Sequence, residues 1–223
     1  MGVLNYRVCS MCQVRKPLNG FYCQNGVHKG PCKSCRIKVS SEWQKSHPKL
    51  VRRYAIITRK RIRDTIDNVK KGKTCCDCGK NYPPPCMEFD HIVKKQHTIA
   101  IMVRDGWSVE KILEEIQNTE MVCILCHRDR TQRRLPPKPP EKRNAIIKRQ
   151  FIYWIKTAPC EECGKNYHPW QMDFDHRGEK IHNIAQMLHH SPENIMKELS
   201  KCRLLCALCH RLKTCGLNVP YGS

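Results

Sequence analysis

The sequence predicts an α+β protein built from small, metal-stabilised modules, and three observations indicate this fold class. Twelve of the 17 cysteines form six Cys-x-x-Cys pairs. Short segments with strand-like or helix-like patterns lie between the pairs. The sequence around the last four pairs is repeated, at an offset of 85 residues from Cys75 to His91 and of 83 residues from Ser108 to His127. Paired cysteines at this spacing are typical of structural zinc sites, so we expect three such sites.

In chain order the pairs combine into three predicted tetrahedral zinc sites, none of which leaves an open coordination position. The predicted ligands are Cys9, Cys12, Cys32 and Cys35 in the first site, Cys75, Cys78, Cys123 and Cys126 in the second, and Cys160, Cys163, Cys206 and Cys209 in the third. Disulfides are the alternative for a cysteine-rich chain. However, the N-terminal sequence has no signal-peptide pattern, and no apolar run approaches the roughly 18 residues of a membrane span. We therefore expect a cytoplasmic protein whose cysteines bind metal.

The charge of the chain indicates the class of its partner. At 223 residues the formal net charge is +21, and the isoelectric point is near 9.5. Such a balance favours a polyanionic partner, with nucleic acid as the leading class. Charge alone does not separate DNA from RNA.

Residues 1–47 are predicted to form an N-terminal zinc ribbon or knuckle around the first cysteine set. In so short a segment the metal would supply much of the folding free energy. The sequence after Cys35 has the pattern of a helix start and carries Trp43.

The rest of the chain divides into two predicted units, residues 48–134 and 141–216. Each opens with a basic leader helix, which in the first unit covers about residues 49–71, where apolar residues recur every three to four positions. A leader helix of this kind can pack as a solvated element or lie along phosphates, and the two are compatible. Residues 135–140 are rich in proline and predict an extended linker, and residues 217–223 predict a tail.

Within each unit the pattern predicts a strand, a helix and a final basic helix. The alternating stretches 87–91 and 172–176 predict strands that end in Phe-Asp-His. Ser108 and Ser191 are the predicted N-caps of the next helix. The second cysteine pair then opens the last helix, whose first turn carries Cys-x-x-Cys-His.

Besides its cysteines, each unit offers one carboxylate and one imidazole that suit a divalent cation. These groups are Asp90 and His127 in the first unit and Asp175 and His210 in the second. A cation held by so few protein groups keeps water ligands, which phosphate oxygens can replace. His91 and His176 directly follow the aspartates and point to the opposite strand face. An imidazole there suits the deprotonation of a water that attacks phosphorus.

Together, the two Cys-x-x-Cys pairs that bracket Phe-Asp-His, and the His after the last Cys, resemble the HNH endonucleases (the His-Me finger or ββα-metal family). The resemblance is to their zinc-stabilised branch, which includes phage recombination endonuclease VII. It covers residues 73–134 and 158–216 and implies two tandem ββα-metal units. It also implies a one-metal mechanism with Mg²⁺ or Mn²⁺ and a phage or large-virus origin. The implied general bases are His91 and His176, and the implied catalytic metal ligands are Asp90, His127, Asp175 and His210.

The chain departs from the family pattern at two places. The middle Asn of the family has a candidate in Asn118, but Lys201 holds that place in the second unit. Many relatives also carry Asn inside the last Cys-x-x-Cys, where this chain has Ile-Leu and Ala-Leu. These departures leave open whether the second unit cleaves DNA or only binds it.

Four further residues match between the repeats and are possible accessory groups. They are Lys95, His97, Lys180 and His182. Contact with the scissile phosphate or the metal is one role for them, and simple surface polarity is the other.

The sequence thus predicts a metal-dependent DNA endonuclease with three structural Zn²⁺ ions and a catalytic Mg²⁺ or Mn²⁺. Its expected substrate is double-stranded DNA, and if both units cleave, one chain could cut both strands. The alternative is a non-catalytic zinc-finger protein that binds nucleic acid. A third possibility is a protein that binds or cleaves RNA, because basic charge and exposed aromatic residues serve either nucleic acid.

Overall fold

The computed structural model describes residues 5–92, 97–136 and 143–217. The chain forms two compact units, an N-terminal one of residues 1–61 and a C-terminal one of residues 62–223. Most of the predicted proline-rich linker and nearly all of the predicted tail lie outside the described residues. The fold is mixed α and β with small two-stranded sheets, as the sequence predicts.

The N-terminal compact unit is built around a four-cysteine group and Phe21. Two short antiparallel hairpins precede a helix, and the buried centre consists of Cys9, Phe21 and Cys32. The elements are β1 (Tyr6–Val8), β2 (Arg15–Pro17), β3 (Cys23–Gln24), β4 (Val27–His28) and α1 (Lys33–Ser46). Since the buried centre is so small, the cysteine group and its metal are expected to hold this unit together.

A long basic helix, α2 (Pro48–Lys70), follows α1 and confirms the predicted leader helix. Within the C-terminal compact unit, its last turns bury Ile62 and Ile66 against two helices of the first repeat, α3 (Ile99–Asp105) and α4 (Val109–Ile116). These two residues lie four positions apart, so they share one face of the helix.

Both repeats lie in the C-terminal compact unit. Each contains an antiparallel strand pair followed directly by a helix. The elements of the first repeat are β5 (Met87–His91), α3 (Ile99–Asp105), α4 (Val109–Ile116), β6 (Thr119–Cys123) and α5 (Ile124–Arg134). Those of the second are α6 (Arg143–Ile155), β7 (Met172–His176), α7 (Pro192–Leu199), β8 (Cys202–Cys206) and α8 (Ala207–Thr214). The predicted strands at 87–91 and 172–176 and the predicted helices after Ser108 and Ser191 are confirmed.

The register of the strand pairs is the same in the two repeats. Met87 pairs with Cys123 and His91 with Thr119, just as Met172 pairs with Cys206 and His176 with Cys202. The strand that ends at Asp-His therefore lies beside the strand that leads into the second cysteine pair. This pairing brings the Asp-His close to the first turn of the last helix.

One hydrophobic core is shared by the two repeats. It contains Met87, Val122 and Leu125 of the first repeat and Leu205 and Leu208 of the second. Burial of apolar surface contributes about 25 cal/mol per Å², so this core stabilises the packed pair. None of the described helices is both long and apolar enough to cross a membrane.

Candidate metal centres

All twelve predicted cysteine ligands fall into the three predicted groups. Within each group the sulfur atoms lie within 4.8 Å of one another, and Cys12–Cys32 and Cys78–Cys123 are 4.0 Å apart. Four sulfurs bound at about 2.3 Å from one zinc ion are separated by about 3.8 Å. Each group can therefore hold a tetrahedral zinc ion.

Helix N-termini position the second pair of cysteines in each repeat. Cys123 and Cys206 are the N-cap residues of α5 and α8, and their sulfurs accept the backbone N–H groups of Cys126 and Cys209. A donor N–H at a sulfur favours the thiolate, which is the form that binds zinc. Hydrogen bonds from Cys209 lower the pKa of the Cys206 thiol to about 5, whereas burial outweighs the Cys126 donor and raises the pKa of the Cys123 thiol.

In the N-terminal compact unit, hydrogen-bond donors around Cys32 also favour its thiolate form. Hydrogen bonds from the Ser34 hydroxyl, the Cys35 backbone and Lys16 lower the pKa of the Cys32 thiol to about 5, despite its burial. Lys16 Nζ lies 3.2 Å from this sulfur.

The Asp-His sequence and the final His form a second cluster in each repeat. In the first, His127 Nε2 lies 3.6 Å from Asp90 Oδ1. In the second, His210 Nε2 lies 3.7 Å from Asp175 Oδ1. Two bonds of about 2.1 Å to one Mg²⁺ ion span at most about 4.2 Å, so one cation can contact both atoms in either repeat.

Carboxylates that the sequence argument missed orient the two histidine rings. His127 Nδ1 lies 2.6 Å from Glu88 Oε2, and His210 Nδ1 lies 3.1 Å from Asp173 Oδ2. An ionised carboxylate only accepts hydrogen bonds, so Nδ1 donates here, and in a neutral ring the Nε2 lone pair is on the side of the aspartate. This is the carboxylate–histidine–metal arrangement found at metal sites.

The sequence held a signal for these carboxylates. Glu88 and Asp90 are two positions apart on β5, as Asp173 and Asp175 are on β7. Because residues i and i+2 of a strand share one face, each pair of acids faces the last helix together.

The candidate metal-ligand aspartates also accept hydrogen bonds from cationic side chains. Asp90 is 4% exposed and lies 2.9 Å from Arg130 Nη1 and 2.7 Å from Arg134 Nη1. Burial raises the pKa of Asp90, but the hydrogen bonds from Arg134 and Arg130 outweigh it and hold this pKa below its usual range. The cations that pair in the same way with Asp175 are Arg203 and Lys213.

The predicted general bases form a third repeated contact, on the other strand face. His91 Nε2 lies 3.0 Å from Glu115 Oε1 on α4, and His176 Nε2 lies 3.0 Å from Glu198 Oε1 on α7. With Nε2–H donating to the glutamate, Nδ1 is left as a proton acceptor. Glu115 and Glu198 match at the 83-residue offset of the repeat, which is the signal that could have revealed them.

Glu198 is held as a carboxylate by several donors. Besides His176, it accepts the side chain of Lys201 at 2.9 Å and the backbone N–H groups of Ile181 and His182. Led by Lys201, these hydrogen bonds lower the pKa of Glu198 to about 2, although burial opposes the shift.

A groove of about 1100 Å³ in the first repeat is lined by residues from both faces of β5. Asp90, His91 and His127 all line it, although the aspartate and His91 belong to opposite faces of β5. The basic residues along this groove are Arg63, Lys70, Arg104, Arg134 and Arg211. The groove thus places candidate metal ligands, a candidate base and positive charge around one space.

The possible accessory residues are placed as follows. The backbone oxygens of Asn118 and Lys201 accept the N–H groups of Ile92 and Arg177, so both positions close the same turn of the repeat. The ring centroids of His97 and Trp107 lie 4.7 Å apart, and those of His182 and His190 lie 4.8 Å apart. Lys180 is exposed, and Lys95 lies outside the described residues.

Comparison of the chain with known protein families, curated proteins and solved structures finds no match. The repeated geometry of the centres therefore provides the main indication of function.

Proposed function

We propose that this protein is a metal-dependent endonuclease that hydrolyses phosphodiester bonds in DNA, as HNH endonucleases do. One observation carries the proposal. In both repeats the strand aspartate and the histidine of the last helix form a pair that suits a divalent cation, next to one face of the strand. On the other face of the strand lies an imidazole held by a glutamate.

The donor set of each pair fits a hard divalent cation. Asp90 and His127, or Asp175 and His210, offer one carboxylate oxygen and one imidazole nitrogen, which suit Mg²⁺ or Mn²⁺ with the remaining positions open to water and phosphate. A bound Mg²⁺ or Mn²⁺ ion would stabilise the negative charge on the phosphate and on the leaving oxygen.

His91 is the proposed general base of the first centre and His176 that of the second. Glu115 accepts the Nε2–H of His91 and fixes the ring, so that Nδ1 can take the proton of a water attacking phosphorus. The carboxylate also compensates the positive charge that the imidazole gains in this step.

Substrate binding is proposed to be mainly electrostatic. The net charge of +21 and the basic lining of the groove favour contact with several phosphates. Binding that neutralises phosphates releases counterions, so the affinity should fall steeply with salt.

The three cysteine groups are proposed to be structural. Four thiolates fill the coordination of zinc, so no position remains for substrate. In each repeat the zinc would fix the strand pair to the last helix and so keep the Asp and His of the second cluster together.

A non-catalytic zinc-finger protein that binds nucleic acid is the second candidate, and one observation favours it. Arg130 and Arg134 already neutralise the buried Asp90, as a purely structural ion pair would. This protein would bind DNA with a similar salt dependence but would not cleave it.

The test uses zinc-replete protein with supercoiled plasmid, branched DNA and RNA. Each substrate is incubated with Mg²⁺, with Mn²⁺ or without either ion, and binding is measured in parallel. The proposal expects cleavage of DNA that requires the added ion. Tight binding without cleavage of any substrate would support the zinc-finger alternative, and preferential cleavage of RNA would reassign the substrate.

A further inference from the structure

Each carboxylate that orients a metal-binding histidine has a second partner, and this partner belongs to the other repeat. Glu88 holds His127 in the first repeat, and its Oε1 atom accepts a hydrogen bond from Arg211 Nη2 at 3.0 Å. Arg211 lies on α8 of the second repeat and also donates from Nη1 to the Pro85 backbone oxygen at 3.1 Å. One guanidinium thus holds both the side chain of Glu88 and the segment that leads into β5.

The opposite contact has the same form. Arg128 lies on α5 of the first repeat and donates from Nη1 and Nη2 to the two oxygens of Asp173 at 2.9 and 2.8 Å. Its Nη1 also lies 3.2 Å from the Trp170 backbone oxygen. Asp173 in turn holds His210 of the second repeat.

The two contacts are reciprocal between equivalent residues. Arg128 and Arg211 each follow the candidate metal-ligand His directly and match at the 83-residue offset, and Glu88 and Asp173 match at the 85-residue offset. When residue i of one copy contacts residue j of another, and j contacts i in return, the copies are related by a twofold axis. The shared core behind these contacts holds the two repeats in that arrangement.

The chemistry of the contact is that of a relay through a carboxylate. Glu88 uses one oxygen for the imidazole and the other for the guanidinium, so rotation of the carboxylate would break both bonds. Charge-assisted hydrogen bonds of this kind are stronger and more directional than neutral ones.

We infer that Arg211 is a positioning residue for the metal centre of the first repeat, and Arg128 for that of the second. Each repeat therefore completes the centre of the other. The inference rests on the proposed function, because it assigns a role within the proposed metal sites. Partners that orient metal-ligating histidines typically change metal affinity by about 10- to 100-fold when removed.

The rival explanation is that the two arginines only fasten the repeats together. Loss of either arginine would then lower the stability of the whole unit and affect both centres alike. A positioning role instead predicts a crossed pattern, in which an arginine matters for the centre of the opposite repeat and not for its own.

The test measures Mn²⁺ affinity, from the electron paramagnetic resonance signal of free Mn²⁺, on the zinc-replete full chain. His210→Ala disables the second centre and leaves the first. In this background Arg211→Ala is expected to weaken Mn²⁺ binding at least about tenfold, whereas Arg128→Ala, the matched control, leaves it unchanged. In a His127→Ala background the two arginines exchange roles.

Two measurements and a substitute variant make the outcome decisive. Zinc content and thermal unfolding report whether each variant is folded. Arg211→Gln, which keeps most of the side-chain length and loses the charge, replaces Arg211→Ala if that variant loses zinc. Equal effects of both arginines in each background, or no effect of either, would overturn the inference. Wild-type protein that binds no Mn²⁺ and cleaves no DNA would overturn the proposed function itself. Normal Mn²⁺ binding and cleavage with an uncrossed pattern would overturn the inference alone.

Discussion

At the scale of single residues, two kinds of histidine are distinguished by which nitrogen is tied to a carboxylate. His127 and His210 are held through Nδ1, which leaves Nε2 for a cation near the aspartate. His91 and His176 are held through Nε2, which leaves Nδ1 for a proton. One residue type is thus proposed to serve both as a metal ligand and as a base beside the same strand pair.

Loss of the Glu115 carboxylate should slow cleavage by the first centre. In a His176→Ala background, Glu115→Gln removes the charge that fixes the His91 ring, so we expect kcat to fall at least about tenfold with little change in KM. The control is Glu114→Gln, which alters the exposed neighbour on the same helix. Equal rates for Glu115→Gln and the control would contradict the assigned role of Glu115.

The pH dependence of stability should reveal the ionised state of Glu198. Hydrogen bonds from Lys201 and other donors lower its pKa to about 2, so the charged form stabilises the fold. This contribution is complete above the unfolded-state pKa of about 4.3 and is lost as the pH falls toward 2. Urea unfolding should therefore show a stability difference between wild type and Glu198→Gln that is constant from pH 8 to 5 and shrinks below it. A difference that grows on acidification would be incompatible with this assignment.

At the scale of secondary-structure elements, short helices carry the chemistry to the strands. α4 and α7 bring the glutamates to His91 and His176, and α5 and α8 bring His127 and His210 to the aspartates. The first turn of α5 and α8 also carries the second cysteine pair, so the zinc site fixes where each of these helices begins.

The serine N-caps of α4 and α7 can be tested separately from catalysis. Ser108 accepts the Lys111 N–H and Ser191 the Asn194 N–H, so replacement of either by alanine should cost about 1 kcal/mol of unfolding free energy. Ser108→Asp retains an acceptor and should keep nearly wild-type stability. Denaturant unfolding would speak against the cap if Ser108→Ala and Ser108→Asp were equally stable.

At the scale of the whole molecule, the C-terminal compact unit (residues 62–223) is expected to depend on zinc and on the shared core together. Cys126 belongs to a four-cysteine group, whereas the nearby Cys76 is exposed and belongs to none of the three. Cys126→Ser should reduce the zinc content from three to two ions per chain and lower the thermal stability of the unit, whereas Cys76→Ser should change neither. Elemental analysis that found three zinc ions in Cys126→Ser would refute the assigned ligand set.

Local patterns made much of this architecture predictable. Metal-ligand spacing, strand alternation and serine caps act within a few residues, and so the cysteine groups, β5, β7, α4 and α7 could be predicted from sequence. The repeat offset marks Glu115 and Glu198 as matched residues, but it does not show which histidine each contacts, because Glu115 reaches His91 only after α4 packs on β5. The contacts of Arg128 and Arg211 with the opposite repeat depend on a shared core that neither repeat reveals alone.

The most direct test of the account is plasmid cleavage by wild type, His91→Ala, His176→Ala and the double variant, all zinc-replete and with Mg²⁺ or Mn²⁺. Because both repeats have the same contacts, we expect wild type to cut both strands, each single variant to nick one, and the double variant to be inactive. Cleavage by the double variant at the wild-type rate would contradict the assignment of these histidines as general bases.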